Sequence, residues 1–234
     1  MEQFYRTSLL ISEEKVKVLN NKTVLLCGLG GVGSYVFEAL VRCGIGNFII
    51  VDNDVVSITN LNRQLVALHS TIGKLKVDVA KARAIDINPN ITVKALPVFI
   101  NKETIDSLFE TKIDYIVDAI DNVTGKILLI EKATALNIPI ISSMGTGNKL
   151  DPTKLKITDL QKTEYCPLAK VMRYELKKRN IKHIKVLSST EIIDNLPKIK
   201  DETNQNKVII GSISFVPSTG GLLIASEVVK DLIK

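Results

Sequence analysis

The sequence predicts an α/β fold in which helices cover both faces of a mostly parallel β-sheet. Short apolar, β-rich runs alternate along the chain with longer stretches whose apolar residues recur at helical spacing. A glycine-rich turn joins the first of these strands to the helix after it. The composition, with 45% hydrophobic and 24% charged residues, is that of an ordinary globular protein, and it excludes a disordered or low-complexity chain.

The first part of the chain consists of successive strand and helix patterns. Residues 23–28 form an apolar run, and the helix predicted over residues 31–43 carries Val32, Val36 and Leu40 on one face. The alternation continues with strands at 48–52, 91–96, 115–118 and 139–143, and with helices at 74–87, 102–109 and 123–136. Repeated β–α units predict a parallel sheet with helices on both faces.

After residue 147 the regular alternation ends. The sequence predicts strands at 154–158 and 185–189, a helix at 167–179 that Pro167 begins, and a mobile loop at 195–207. A final strand and helix are predicted at 208–215 and 217–234, and their uncharged stretch is expected to be buried in the fold with no stable membrane insertion. Residues 1–234 are therefore expected to form a single domain, with 149–207 as a basic insertion before the last strand and helix.

The positive charge of the protein is concentrated in that segment. The chain has 31 Lys and Arg against 25 Asp and Glu, a net charge of +6. Residues 149–207 contain 14 of the basic and 8 of the acidic residues, and so account for the entire excess. A basic region on an otherwise neutral protein indicates a local site for a polyanion such as nucleic acid.

The cysteine spacing indicates a reducing compartment. Cys27, Cys43 and Cys166 lie far apart, so they predict neither a disulfide framework nor a cysteine zinc site. The start of the chain does not have the pattern of a secretion signal. We therefore expect a cytoplasmic protein.

The glycine-rich turn matches a nucleotide-binding fingerprint. The pattern G-x-G-x-x-G is supplied by Gly28, Gly30 and Gly33, with Gly31 as a further glycine, and Asp52 ends the next predicted strand. Such a turn lets a phosphate approach backbone N–H groups at a helix N-terminus, while the acid accepts hydrogen bonds from ribose hydroxyls. The fingerprint predicts a Rossmann-like, doubly wound nucleotide-binding fold, and it is compatible with a nicotinamide dinucleotide or with ATP.

Polar residues farther along the chain favour ATP. They follow the carboxyl ends of predicted strands, where open α/β sheets bind ligands, and they are Asp52, Asp54, Asn60, Arg63, Gln64, Lys76, Asp121 and Asn122. Cations stabilise phosphate charge and a carboxylate holds Mg²⁺, as ATP-driven acyl activation requires. Hydride transfer has no need of these groups, so a nicotinamide-dependent oxidoreductase is the less favoured alternative.

The same residues resemble those of the ThiF-like adenylating enzymes, and within that superfamily those of the tRNA threonylcarbamoyladenosine dehydratases. Further matches lie at residues 151–153, 157–163, 167–169, 189–191 and 211–217. The resemblance implies roles for most of the site: Gly28, Gly30 and Gly33 beneath the nucleotide, Asp52 and Asp54 at the ribose, Asn60, Arg63 and Lys76 at the phosphates, and Asp121 at the metal. Arg63, Lys76 and Asp121 are the implied catalytic residues.

The resemblance also implies partners and a reaction. Arg6 resembles an N-terminal arginine that reaches the ATP of a neighbouring subunit, so a homodimer is expected. The implied reaction adenylates the carboxylate of threonylcarbamoyladenosine in tRNA and then closes a ring. A sulfur-relay protein is a further partner that the resemblance allows. The main alternative is an activator of a sulfur-carrier or ubiquitin-like protein, many of which carry two C-x-x-C pairs that this chain does not have.

The basic segment contains the predicted RNA contact. Lys170, Arg173 and Lys177 recur at helical spacing in the helix that Pro167 begins. With no Trp and few other aromatic residues in the chain, base stacking is not expected, and electrostatic contact with phosphates is the predicted mode of tRNA binding.

Overall fold

Seven strands form one sheet in the computed structural model, which describes residues 2–193, 199 and 208–234. The strands are β1 (Thr23–Cys27), β2 (Asn47–Val51), β3 (Thr92–Leu96), β4 (Tyr115–Asp118), β5 (Ile140–Ser143), β6 (Leu155–Asp159) and β7 (Lys185–Ser189). Their order is β3-β2-β1-β4-β5-β7-β6, and every neighbouring pair is parallel except β6 and β7. The predicted α/β class with a mostly parallel sheet is confirmed.

Seven α-helices accompany the sheet in the described part of the chain. They are α1 (Tyr5–Ile11), α2 (Glu13–Asn20), α3 (Gly33–Cys43), α4 (Lys76–Ile87), α5 (Val123–Ala135), α6 (Pro167–Lys178) and α7 (Phe215–Leu232). Helices α1 and α2 were not predicted. The helix predicted at 102–109 is only a short 3₁₀ helix, Ile105–Phe109.

Alternate side chains of the central strands supply two separate cores. In β1, Val24 and Leu26 face one side of the sheet and pack with residues of α3, α4 and α7. Leu25 and Cys27 face the other side and pack with residues of α5 and of the 3₁₀ helix. Helices therefore cover both faces, which is the doubly wound arrangement.

The candidate site lies where the order of the strands reverses. Strands β1 and β4 are neighbours, and the chain continues from them toward opposite edges of the sheet. The loops that follow these two strands meet at their carboxyl ends, where Ala119 N donates a hydrogen bond of 2.8 Å to Cys27 O. Open α/β sheets bind ligands in the crevice at such a switch point.

The prediction of a strand at residues 208–215 is wrong. Only Val208 has the bridge character of a strand, residues 209–214 have no regular secondary structure, and Phe215 already begins α7. The place beside β7 is occupied by β6, which pairs with β7 in antiparallel register. Among the described helices, none is long and apolar enough to cross a membrane.

The segment 149–207 is not inserted before the last strand, because β7, the last strand of the described chain, lies within it. Its described residues supply β6, α6 and β7 and complete the sheet. Met172 and Leu176 of α6 are fully buried against residues of α5, β5 and β7. The mobile loop expected at 195–207 lies outside the described residues apart from residue 199.

Helix α7 packs closely on α3 through Gly221. A Cβ at Gly221 would lie 2.6 Å from the carbonyl oxygen of Val32 and 2.8 Å from Cβ of Tyr35. Alanine normally stabilises a helix relative to glycine by about 1 kcal/mol. At this position the backbone contact leaves no room for the added methyl group.

We therefore expect Gly221→Ala to lower the free energy of unfolding by about 1–3 kcal/mol, since the two helices must separate to admit the methyl group. Ser226→Ala, at an exposed position of the same helix, is the matched control and should change stability by less than about 0.7 kcal/mol. Equilibrium denaturation by urea measures both. A stabilised Gly221→Ala variant would contradict the close packing of α3 and α7.

Candidate active site

In the glycine turn between β1 and α3, two glycines lie so close to neighbouring backbone atoms that no other residue fits. Gly28 has φ +91°, and a Cβ there would lie 2.6 Å from Ala119 O. A Cβ at Gly33 would lie only 1.8 Å from Gly28 O. A Cβ at Gly30, by contrast, would meet no atom within 4 Å, so this glycine opens space above the turn. A ligand phosphate in that space would face backbone N–H groups near the N-terminus of α3.

Asp52 follows β2 and is bound to the glycine turn. Its Oδ2 accepts a hydrogen bond of 2.6 Å from Leu29 N, and its Oδ1 accepts one of 2.9 Å from Asp54 N. Burial raises the pKa of the Asp52 carboxyl, while Lys76 and the two backbone hydrogen bonds oppose this rise. The acid thus fixes the turn as well as lining the predicted ribose side of the site.

Lys76, the first residue of α4, is held between two carboxylates. Its Nζ lies 2.7 Å from Oδ2 of Asp54 and 3.9 Å from Oδ1 of Asp52. The Lys76 side chain is only 5% exposed, whereas that of Asp54 is 61% exposed. A phosphate arriving from the solvent side could therefore replace the exposed Asp54 carboxylate as the partner of this ammonium group.

The Asn60–Gln64 motif lies beside the glycine turn. A Cβ at Gly31 would lie 3.4 Å from Cγ of Arg63, so the Arg63 side chain passes close to the turn. The Arg63 Nη1 donates hydrogen bonds of 2.8 Å to Thr59 O and to Asn62 Oδ1. Asn60 accepts a hydrogen bond from Ser57 N through its side chain.

Gln64 is buried, and its Oε1 has no hydrogen-bond partner among the described residues. Buried polar atoms are normally hydrogen-bonded. A ligand that donates a hydrogen bond to Oε1 would satisfy it.

The loop after β4 brings Asp121 and Asn122 to the same edge of the sheet. Ala119 contacts the glycine turn, and Asn122 Oδ1 caps α5 by accepting a hydrogen bond of 2.8 Å from Gly125 N. Asp121 is exposed and makes no hydrogen bond or ion pair with other described residues. Its carboxylate is available to a cation bound between the protein and a ligand.

Comparison with known proteins assigns the family. The model of the ThiF family matches residues 5–234. This chain belongs to the ThiF family. It is 44% identical to the tRNA threonylcarbamoyladenosine dehydratase of Bacillus subtilis (strain 168), covering 100% of this chain and 96% of that protein. It is 34% identical to the protein of that name from Haemophilus influenzae, covering 96% and 91%.

Solved structures of the same family share the fold. The structure of Escherichia coli tRNA N6-threonylcarbamoyladenosine dehydratase, TcdA, in complex with ATP superposes with a TM-score of 0.89 at 30% identity, covering 99% of this chain and 94% of that one. The complex of the same protein with AMP has a TM-score of 0.90 at 31% identity and the same coverage.

Lys126 lies behind the candidate site and was not predicted from the sequence. Its ammonium group is fully buried and pairs with Asp118 at 3.0 Å, directly behind the loop that carries Asp121. Helical spacing could have indicated its burial, because Lys126 lies on the same face of α5 as the buried residues Ile130 and Ala133. A lysine on the buried face of a helix needs a partner.

Arg6 does not reach the glycine turn within one chain. It is exposed on α1 and makes no hydrogen bond or ion pair with other described residues. Tyr5, Leu9 and Leu10 of the same helix are also exposed, by 61%, 67% and 87%. Contact between Arg6 and the nucleotide bound to a second copy of this chain therefore stays a prediction.

The three basic residues predicted to contact RNA differ in their surroundings. Lys170 and Lys177 are exposed on α6. Arg173 is half-buried, and its Nη1 donates a hydrogen bond of 2.9 Å to Thr163 O and another to the Thr163 hydroxyl. Arg173 thus joins the middle of α6 to the preceding loop, which leaves less of its charge facing solvent.

Two exposed tyrosines accompany these lysines. Tyr165 and Tyr174 are 61% and 63% exposed, and Lys178 Nζ lies 4.0 Å from the centre of the Tyr174 ring. The low aromatic content led the sequence analysis to expect no base stacking. The structure nevertheless presents two aromatic rings on this surface, and stacking on such rings is a common mode of RNA recognition.

The different surroundings of the glycines give a direct test of the turn. We expect Gly28→Ala to destabilise the protein by about 1–3 kcal/mol or more, because alanine is strained at positive φ and its methyl group meets Ala119 O. Gly30→Ala should change stability by no more than about 0.5 kcal/mol, because its methyl group enters open space. Thermal unfolding of both variants checks this, and equal destabilisation would contradict the geometry of the turn.

Proposed function

We propose that this protein is an ATP-dependent tRNA threonylcarbamoyladenosine dehydratase. The observation that carries the proposal is the set of charged groups on the loops around the glycine turn: Lys76, Arg63 and Asp121, the last without a partner among the described residues. This arrangement occurs in a chain that is similar over its whole length to dehydratases of this name. The E. coli relative has been solved with ATP and with AMP.

The residues of the site fit ATP. Gly30 leaves room for phosphate above the turn, and Gln64 Oε1 offers a buried acceptor that needs a donor. Asp52 and Asp54 stand at the ribose side, Asn60, Arg63 and Lys76 at the phosphates, and Gly28, Gly31 and Gly33 shape the turn beneath them. Asn122 supports the site indirectly by capping α5.

The reaction uses these groups to stabilise charge. An oxygen of the threonylcarbamoyl carboxylate attacks the α-phosphorus, the bond to the leaving pyrophosphate breaks, and an acyl adenylate forms. A nucleophile within the same modified nucleoside then attacks the acyl carbon and loses its proton, AMP leaves, and a ring closes. The net change in the nucleoside is the loss of one water. Arg63 and Lys76 stabilise the negative charge that moves onto the phosphates, and no covalent bond to the enzyme is needed.

Asp121 fits a site for Mg²⁺. Mg²⁺ is usually held by one or two carboxylates, by phosphate oxygens of the substrate and by water, so a single free carboxylate beside the phosphate space is sufficient. When bound, the cation would neutralise charge on the phosphates and make pyrophosphate a better leaving group.

The thiols argue against the carrier-protein alternative. Thioester transfer needs a reactive thiolate, yet Cys27 and Cys166 are buried and Cys43 is half-buried. Burial raises the pKa of the Cys27 and Cys43 thiols, so both stay protonated at neutral pH. The nicotinamide alternative leaves Arg63, Lys76 and Asp121 without a chemical role.

The proposed assembly is a cytoplasmic homodimer that binds tRNA. The exposed apolar side chains of α1 would be covered by a second copy, and Arg6 on that helix would reach the neighbouring ATP. The tRNA would lie along α6, with Lys170, Arg173 and Lys177 near its phosphates. A sulfur-relay protein remains a further expected partner.

Nucleoside mass spectrometry tests the proposed reaction. We expect incubation with ATP, Mg²⁺ and tRNA carrying threonylcarbamoyladenosine to remove one water from the modified nucleoside. Asp121→Asn removes the charge that would hold the cation, and it should raise the barrier by about 2–4 kcal/mol, a rate loss of roughly 30- to 1,000-fold. Initial rates measure this loss.

Asp86→Asn, at an exposed position of α4, is the matched control and should retain wild-type turnover. Wild-type turnover by Asp121→Asn would contradict the metal assignment. Tight binding of a nicotinamide dinucleotide with no measurable affinity for ATP would overturn the adenylation reaction itself.

The salt dependence of tRNA binding tests the role of α6. Phosphate contacts release counterions, so the affinity should fall steeply with salt, and Lys170→Gln with Lys177→Gln should reduce the slope by up to about two units. Adding Arg173→Gln should reduce it by at most about one further unit, and the pairing of Arg173 with Thr163 favours a smaller change. Filter binding over a range of salt concentrations measures the slopes.

Lys81→Gln with Lys102→Gln provides the control, because these two exposed lysines lie away from α6. This control should keep the wild-type slope. An unchanged slope for the α6 variants would place the RNA elsewhere on the protein. No tRNA binding by the wild type would favour the carrier-protein alternative.

A further inference from the structure

A fully buried ion pair lies behind the loop that carries Asp121. Asp118 ends β4 and Lys126 lies near the start of α5, and both side chains are 0% exposed. Lys126 Nζ lies 3.1 and 3.0 Å from the two Asp118 carboxylate oxygens and 2.8 Å from Ser143 O. The Ser142 hydroxyl donates a further hydrogen bond of 2.5 Å to Asp118. The ion pair thereby joins β4, α5 and β5.

A buried pair of this kind is a poor device for stability alone. Removing two charges from water is costly, and neutral side chains of similar volume are often equally stable or more so. What the pair supplies is a fixed geometry, since all hydrogens of the ammonium group have acceptors in fixed directions.

The side chain of Asp118 and the backbone of Lys126 also hold the loop between the two residues. Asp118 Oδ1 accepts a hydrogen bond of 3.3 Å from Ile120 N, and the Lys126 backbone N–H donates one of 3.0 Å to Asn122 O. Asp121 lies between these two anchored residues and has no described contact of its own. The position of its carboxylate is therefore set by the backbone of this short loop.

We propose that Lys126 is a positioning residue for the metal site. Its ammonium group holds Asp118 and the end of β5 behind the loop, and so fixes the loop backbone from which the Asp121 carboxylate would hold the cation. This inference rests on the proposed function, because it takes Asp121 as the ligand of Mg²⁺. Supporting groups behind a metal ligand typically change metal affinity by about 10- to 100-fold when they are removed.

The double variant Asp118→Asn with Lys126→Met tests the proposal. Lys126→Met alone would leave a buried carboxylate unpaired, whereas the double variant keeps the volume and leaves no buried charge. Binding of a fluorescent ATP analogue is measured in EDTA and over a Mg²⁺ titration. We expect affinity in EDTA within about two-fold of wild type, and a Mg²⁺ midpoint raised by about ten-fold or more.

Two control variants separate the possible results. Asp121→Asn should lose the Mg²⁺-dependent gain in affinity altogether. Asp106→Asn with Lys132→Met removes a more exposed ion pair that also involves α5, and it should behave as wild type.

Three outcomes count against the two proposals. A wild-type protein with no Mg²⁺-dependent gain would overturn the proposed metal site and, with it, the role of Lys126. If wild type shows the gain and Asp121→Asn loses it, a wild-type midpoint in the double variant would overturn the positioning role alone. Equal losses in EDTA and in Mg²⁺ would also overturn it, because they would indicate a merely structural role.

A milder variant covers the case in which the double variant does not fold. Ser142→Ala removes one hydrogen bond to Asp118 and leaves the ion pair in place. Its Mg²⁺ midpoint should rise by about two- to ten-fold, the effect expected from the loss of one hydrogen bond. An unchanged midpoint would overturn the proposal.

Discussion

The contact between the glycine turn and the loop after β4 is the constraint on which the site depends. Gly28 and Gly33 admit no side chain, so the turn lies backbone against backbone on Ala119. This contact is available only because β1 and β4 are neighbours at the point where the strand order reverses. The N-terminus of α3 and the loop that carries Asp121 consequently lie at the same edge of the sheet.

The ion pairs of Lys76 and Lys126 differ in solvent exposure, and this difference suits them to different roles. Lys76 is nearly buried, but the Asp54 carboxylate beside it is 61% exposed, so a ligand can compete for the ammonium group. Asp118 and Lys126 are both 0% exposed, and no ligand can reach them without opening the core. The first pair is suited to binding phosphate, whereas the second is suited to holding a loop in place.

Local patterns were sufficient to predict the parts of the fold that local interactions determine. The turn at Gly28 and Gly33, the approximate positions of β1 to β5 along the chain and the start of α6 at Pro167 all follow from turn chemistry and periodicity. The apolar run at 208–215 has the composition of a strand, but composition does not report that β6 already occupies the edge beside β7. Whether such a run joins a sheet depends on tertiary contacts that its composition does not contain.

Some residues in and behind the candidate site could likewise be predicted from local sequence, whereas others depend on tertiary contacts. The glycine turn, Asp52 and Lys76 were predicted because their positions after strands carry the signal, and the structure places them together. Lys126 was missed because a lysine suggests a solvent-exposed position, and only the burial of its whole helical face shows otherwise. The pairing of Arg173 with Thr163 was equally out of reach, because it depends on how the loop after β6 returns to α6.

The segment before α7 forms no strand, but hydrogen bonds connect it to loops around the candidate site. Its backbone finds partners in loops, with Gly211 N and O bonded to Asn148 and with Ser212 O accepting from the side chain of Asn62. Asn62 lies within the phosphate-side motif, and Asn148 lies in the loop after β5. Pro217 then packs against Gly31, with its Cβ 3.1 Å from where a Gly31 Cβ would lie. The segment before α7 is thus bonded to the loop after β5 and to the phosphate-side motif. The packing of α7 on Gly31 and on α3 helps to hold the glycine turn in place.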